Sequence, residues 1–177
     1  MIAELKQLYD ALEDKRQKLF SLLYILNADR IKFKTGPGGW SIEMHLEHLV
    51  IAEELIAGDM EKTRSEAGRH FPSASPEAFR MVIQVLEKDI PVEVPLPALE
   101  PSGNAPLEEL IIRWERARSR LKQLCEGTAP AGIHDPVCAH PVAGPLDIHE
   151  TLEFLIVHLD HHRRHIRRIH DAFGRGG

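Results

Sequence analysis

Cysteine is scarce in this chain of 177 residues, which holds only Cys125 and Cys138. Two cysteines so far apart form neither a CxxC pair nor the disulfide framework that staples small secreted domains. The expectation is a reduced chain in the cytoplasm. Long apolar runs are missing as well, and nothing approaches the roughly 20 residues that a membrane helix needs. The opening Met1-Ile2-Ala3-Glu4-Leu5-Lys6 carries acidic and basic residues where a secretory leader keeps an apolar core. Positive charge is in deficit: 22 Lys and Arg stand against 27 Asp and Glu, a formal net charge of −5. That balance argues against binding a phosphate backbone as the main task. Neither a nucleic-acid partner nor a membrane partner is expected. Internal repeats, low-complexity blocks and the zincin HExxH motif are absent too.

What is present is an ordinary soluble composition, 43% apolar and 28% charged. The length suits one domain, 1–177, able to bury a core without metal or disulfide staples. Ile2, Leu5, Leu8, Leu12, Leu19, Leu22, Leu23 and Leu26 recur at three-and-four spacing, interrupted at Arg16, and predict a long amphipathic helix over 2–28. Lys34-Thr35-Gly36-Pro37-Gly38-Gly39 breaks it. Ser41 is the N-cap expected for a second helix through Leu49, Ala52, Leu55 and Ile56. Ser75-Pro76-Glu77 opens a shorter helix that stops before Asp89. Pro91, Pro95, Pro97, Pro101 and, just beyond, Pro106 make the stretch from Ile90 to Asn104 a loop. Leu107, Leu110, Ile111, Trp114, Ala117, Leu121 and Leu124 mark another long helix, with Gly127 to close it. A further Pro- and Gly-rich loop runs through Pro145. Asp147 and Glu150 form a capping-box pattern ahead of the last helix. Its stripe is Ile148, Leu152, Leu155, Leu159, His162, Ile166, Ile169 and Phe173, with Gly174 to end it. The predicted architecture is all-α: a four-helix bundle with a short additional helix and long Pro/Gly-rich connections.

Five of the eleven histidines fall in the segment from His158 to His170. On a helix, His158 and His162 sit one above the other, about 6 Å along the axis and about 40° around it. His161 and His165 form a second pair at the same spacing. Neutral imidazole is the commonest metal-ligand side chain, and His162 lies within the apolar stripe. Arg163, Arg164, Arg167 and Arg168 point roughly 100° to 240° from His162 and read as a solvated face. Two imidazoles need a third ligand from elsewhere, and the second helix offers His45 and His48, neighbours on one face. Spacing prefers His48 only weakly and leaves His45 as a pocket residue. Three neutral nitrogens suit a divalent ion, with Zn²⁺ or Ni²⁺ leading and Fe²⁺, Co²⁺ or Mn²⁺ behind them. Three protein ligands leave a position open for water or substrate, the catalytic pattern. Asp160 lies about 200° from His158 and cannot face the same ion. Glu53, Glu54 and Glu150 are the candidates for a general base, though as exposed or capping carboxylates they would have no such role. Trp40 is expected to pack the end of the bundle.

These features together resemble the DinB-like superfamily of metal-binding four-helix bundles. Three segments carry the resemblance. Gly39-Trp40-Ser41-Ile42-Glu43-Met44-His45-Leu46-Glu47-His48-Leu49 is similar to a Trp-Ser opening with a histidine eight residues after the tryptophan. His140-Pro141-Val142-Ala143-Gly144-Pro145-Leu146 resembles a His-Pro-x-x-Gly-x-Leu lead-in to the last helix. The histidine cluster resembles the family's H-x-x-x-H. The resemblance implies His48, His158 and His162 as the metal ligands. His165 stands where many relatives with that lead-in have glutamine and some thiol-transferase-like ones have histidine, so the place of His161 and His165 stays open. It further implies a metal-dependent enzyme that transfers a low-molecular-weight thiol, such as bacillithiol or mycothiol, to an electrophile, or that activates water for hydrolysis. A small-molecule substrate and a homodimer are the implied partners. The contrasting reading is a non-catalytic, metal-stabilised bundle acting as a stress-related interaction or sensing module.

Overall fold

The computed structural model describes residues 1–66, 69–73, 75–90 and 93–175. Of the loop prolines named above, Pro91 lies outside the described residues. Six α-helices lie among them: α1 (Ala3–Leu23), α2 (Ala28–Lys32), α3 (Ile42–Ser65), α4 (Pro76–Glu87), α5 (Leu107–Glu126) and α6 (Ile148–Arg175). Single 3₁₀ turns occupy Pro97–Leu99 and Pro130–Gly132. The fold is an all-α bundle. Its four long helices pack α1 on α6, α6 on α3, α3 on α5 and α5 back on α1, while α4 lies against α6.

On α1 the buried positions are Leu5, Tyr9, Leu12, Arg16, Leu19 and Leu23, a three-and-four alternation that lays one stripe along the core. Arg16 does not interrupt that stripe, because its guanidinium is paired with Glu13 and Glu115. The helix ends at Leu23 and does not continue to 28. Tyr24 and Ile25 lie out in solvent, and the Asn27 side chain accepts the Arg30 N–H to start α2. Asn27 is therefore an N-cap. The other starts fall where local capping places them. Ser41 Oγ accepts Met44 N–H, Ser75 Oγ accepts Ala78 N–H with Pro76 next to it, and Asp147 and Glu150 exchange side-chain-to-backbone bonds.

One expectation at α3 changes, and the one at the end of α5 holds. Leu55 points outward and is 45% exposed, whereas nearly every residue from Ile42 to Val50 is buried. Gly127 caps α5 with φ −85°, not in a left-handed turn. A Cβ there would come within 2.4 Å of the Arg64 guanidinium, the end of an exposed, flexible side chain that would have to swing aside. α6 runs through Gly174 to Arg175.

The loop before α6 contains a hairpin absent from the sequence expectation. β1 (Cys138–His140) pairs antiparallel with β2 (Gly144–Leu146), with His140 opposite Gly144. Gly144 has φ 81°, the conformation that lets so short a turn close. Cys125 and Cys138 are both free and buried. No helix among the described residues is long and apolar enough to cross a membrane.

Candidate metal centre

α3 and α6 pack so that His48 meets His158 and His162. The Nε2 atoms of His48 and His158 are 3.1 Å apart, and those of His158 and His162 are 3.0 Å apart. All three residues are buried, at 6–7% exposure. The i, i+4 pair on α6 thus faces the bundle interior and not water, as its place in the apolar stripe predicts.

Each ring is aimed by something behind it. His48 Nδ1–H donates to the carbonyl of Leu99, 2.8 Å away in the 3₁₀ turn, so its Nε2 carries the lone pair. The loop just after that turn is tied to α3 by the neighbouring Glu47, whose two oxygens accept from Ser102 Oγ (2.8 Å) and Gly103 N–H (2.7 Å). His162 Nδ1 lies 2.9 Å from His45 Nδ1. When His162 donates in that bond, its Nε2 also presents a lone pair. Phe154 stacks flat on His158, with ring centres 5.2 Å apart.

Burial pushes His158 and His162 well below the ordinary histidine range, and the mutual proximity of the rings adds to it. His48 is also lowered by burial, against the opposing effect of the Leu99 bond. His45 is pushed down to about 3, first by burial and then by the neighbouring His165 and His48. The cluster is therefore neutral at physiological pH, the state in which imidazole ligates a metal. Three neutral ring nitrogens within 4.8 Å of one another, two of the pairs 3.0 and 3.1 Å apart, can hold one divalent ion, since bonds of about 2.0–2.1 Å at octahedral or tetrahedral angles separate ligands by about 2.8–3.4 Å. The donor set is all nitrogen, so soft-thiolate metals are not selected.

The remaining candidates are spoken for. Glu53 bonds Arg118, Glu54 bonds Arg113, and Glu150 caps α6, so none of the three faces the triad as a general base. Asp160 pairs with Lys15 and Arg163. Trp40 lines the cluster instead of merely packing the bundle end: its ring is stacked on His162 and 5.1 Å from that of His48. The arginines lie on the solvent side of α6, Arg167 and Arg168 exposed and Arg163 and Arg164 half-buried, and three of them are also paired: Arg163 with Asp160, Arg164 with the Leu86 carbonyl and Arg168 with Asp89. His161 and His165 turn toward Asp89 and not into the triad.

The His-Pro lead-in has a visible role. His140 Nδ1 accepts the N–H groups of Val142 (3.1 Å) and Ala143 (2.9 Å), closing the hairpin turn, and its ring meets Phe154 edge-on. Burial lowers His140 from 6.5 to about 4. A folded value below the unfolded one means stability that is fully present above pH 6.5 and lost as pH falls through about 4. His140→Asn, which keeps an acceptor but cannot titrate, should flatten the fall of unfolding free energy across that window, as followed by urea melts at successive pH values. An unchanged slope would remove His140 from the acid response.

Compared with known proteins, residues 11–166 match the family model described as the DinB superfamily. The match spans most of the chain, and the chain belongs to that superfamily. No curated protein matches it in sequence.

Proposed function

We propose that this DinB superfamily member holds one divalent ion, Zn²⁺ or Ni²⁺, on His48, His158 and His162, and joins a low-molecular-weight thiol to an electrophile at that site. The supporting observation is the convergence of three buried Nε2 atoms whose rings are aimed from behind. When bound, the ion supplies Lewis acidity that brings a thiol or water at its open position to the anionic state near neutral pH.

The residues supply the rest. His48 is locked by Leu99, and Glu47 holds the loop just after that carbonyl through Ser102 and Gly103. His45 Nδ1 stands behind His162, and by accepting from His162 Nδ1–H it leaves the His162 Nε2 lone pair turned inward. Trp40 and Phe154 wall the cluster with apolar surface, which limits the water around it. The engagement of Glu53, Glu54 and Glu150 elsewhere favours a thiol over water as nucleophile. A thiol, with an ordinary pKa near 8.5, asks far less of a base than water at 15.7.

The test is consumption of bacillithiol, mycothiol or cysteine with monochlorobimane as the electrophile, using zinc- or nickel-loaded protein and the chelated protein side by side. Metal-dependent turnover with at least one thiol is expected. No turnover with any of them would remove the transferase reading, and hydrolysis of ester substrates alone would replace it with the water reaction.

His45→Phe keeps the apolar packing against Trp40 and removes the bond to His162. Losing a hydrogen-bond partner behind a ligand costs about 10–100-fold in metal affinity. That loss should appear in competition with a chromophoric chelator, with the far-ultraviolet spectrum unchanged. Affinity equal to the parent chain would show that His162 orients itself.

A further inference from the structure

The same helix that carries the triad holds a second convergence of donors. His161 and His165 face Asp89, the residue two past the end of α4. Asp89 Oδ1 lies 3.2 Å from His161 Nδ1 and 3.1 Å from His165 Nε2. Asp89 has φ 57°, a left-handed conformation that only short polar residues and glycine adopt readily. Neither Asp89 Oδ1 nor His165 Nε2 makes a hydrogen bond of acceptable direction, although both are buried and only 3.1 Å apart. In imidazole the N–H and the lone pair occupy the same in-plane direction, so in either tautomer His165 Nε2 is aimed beside the carboxylate oxygen and not at it. Close donors aimed past one another are what sharing a cation requires.

We infer that Asp89, His161 and His165 form a second divalent-cation site, with two imidazoles and one carboxylate, separate from the triad. It does not depend on the thiol reaction. A mixed nitrogen and oxygen set of this kind suits Zn²⁺, Fe²⁺, Co²⁺ or Mn²⁺. His161 Nδ1 lies 3.2 Å from the Leu86 carbonyl, so ligation exchanges that bond for the metal. Two positive groups oppose a cation here: Arg168 sits on Asp89 Oδ2, and Arg164 Nε is 3.9 Å from Oδ1. Arg168 is 56% exposed and can withdraw into water, so it acts as a built-in competitor and makes this the weaker of the two sites. His165 and Asp89 are 31% and 22% exposed, so the rim of the site meets solvent while Asp89 Oδ1 and His165 Nε2 lie beneath it.

The test titrates Zn²⁺ into the chelator-stripped full chain, with bound metal counted by elemental analysis after equilibrium dialysis. Two equivalents are expected, the second weaker. His165→Gln and Asp89→Asn should each bind one equivalent, while His158→Ala should lose the tight one and keep the weak one. Arg168→Ala leaves all three donors in place and should tighten the weak site by about tenfold, the effect of removing one adjacent positive charge. Far-ultraviolet melts of the chelated variants separate loss of a ligand from loss of fold, and His165→Gln stays readable even where Asp89→Asn loosens α4. A single equivalent in the parent chain up to millimolar Zn²⁺, or two equivalents retained in both His165→Gln and Asp89→Asn, would overturn the site. Failure of the triad reads differently, as a parent chain whose tight equivalent survives His158→Ala.

Discussion

His158→Ala should abolish tight binding of a divalent ion and with it every metal-dependent property of the triad. Losing a partner behind a ligand already costs about 10–100-fold, so losing a direct donor sets that range as a lower bound. The variant should fold, because the bundle's apolar core does not depend on this ring: Leu5, Leu12, Leu46, Leu49, Trp114, Leu152 and Leu159 are fully buried along its helices. In the chelated state it should melt close to the chelated parent. The cavity left by the imidazole costs stability, but the close approach of three ring nitrogens is relieved. Metal should then separate the two proteins. A ligand at a thousand times its Kd raises unfolding free energy by about 4.1 kcal/mol, so saturating Zn²⁺ should lift the parent's Tm by several degrees and leave that of His158→Ala in place. Calorimetric titration with thermal melts measures both. Retained tight binding in His158→Ala would disprove the triad. A parent chain that unfolds on chelation would instead make the ion a structural staple, the non-catalytic reading of this bundle.

The sequence made the helix starts legible wherever capping is local. Ser41, Ser75 and Asp147 with Glu150 each act within three residues, so the pattern and the bond coincide. The break after Leu23 is hidden in the sequence because apolar spacing continues through Leu26, although Asn27 caps the next helix. The hairpin before α6 has three residues per strand, too few for alternation to show. Spacing could not choose between His45 and His48 because both face α6: one meets the ring cluster directly and the other touches the back of His162. The two histidine pairs of α6 are equally ambiguous by period. Their roles part only because α3 covers one pair and the turn after α4 brings Asp89 to the other. Glu47 carried no local signal, since its partners Ser102 and Gly103 belong to a distant loop.

The largest stability effect should come from a pair that has nothing to do with metal. Glu53 on α3 and Arg118 on α5 are 4% and 2% exposed and joined by two bonds, of 3.0 and 2.5 Å. Removing one member of such a pair leaves a buried charge uncompensated and costs about 3–5 kcal/mol. The two removals should not cost the same. After Glu53→Met, Arg118 still has Glu13 at 3.5 Å, and Glu13 in turn is held by Arg16, so part of the compensation survives. After Arg118→Met, Glu53 has no other cation beside it among the described residues, and this variant should fall at the upper end of the range. The double variant replaces the pair with apolar side chains that occupy similar volume, and such replacements are often neutral or stabilising. It should sit closer to the parent than either single variant, with a coupling energy of order 3 kcal/mol in a double-mutant cycle from urea melts. Additive losses would show that the two side chains stabilise the bundle through separate contacts and not as a pair.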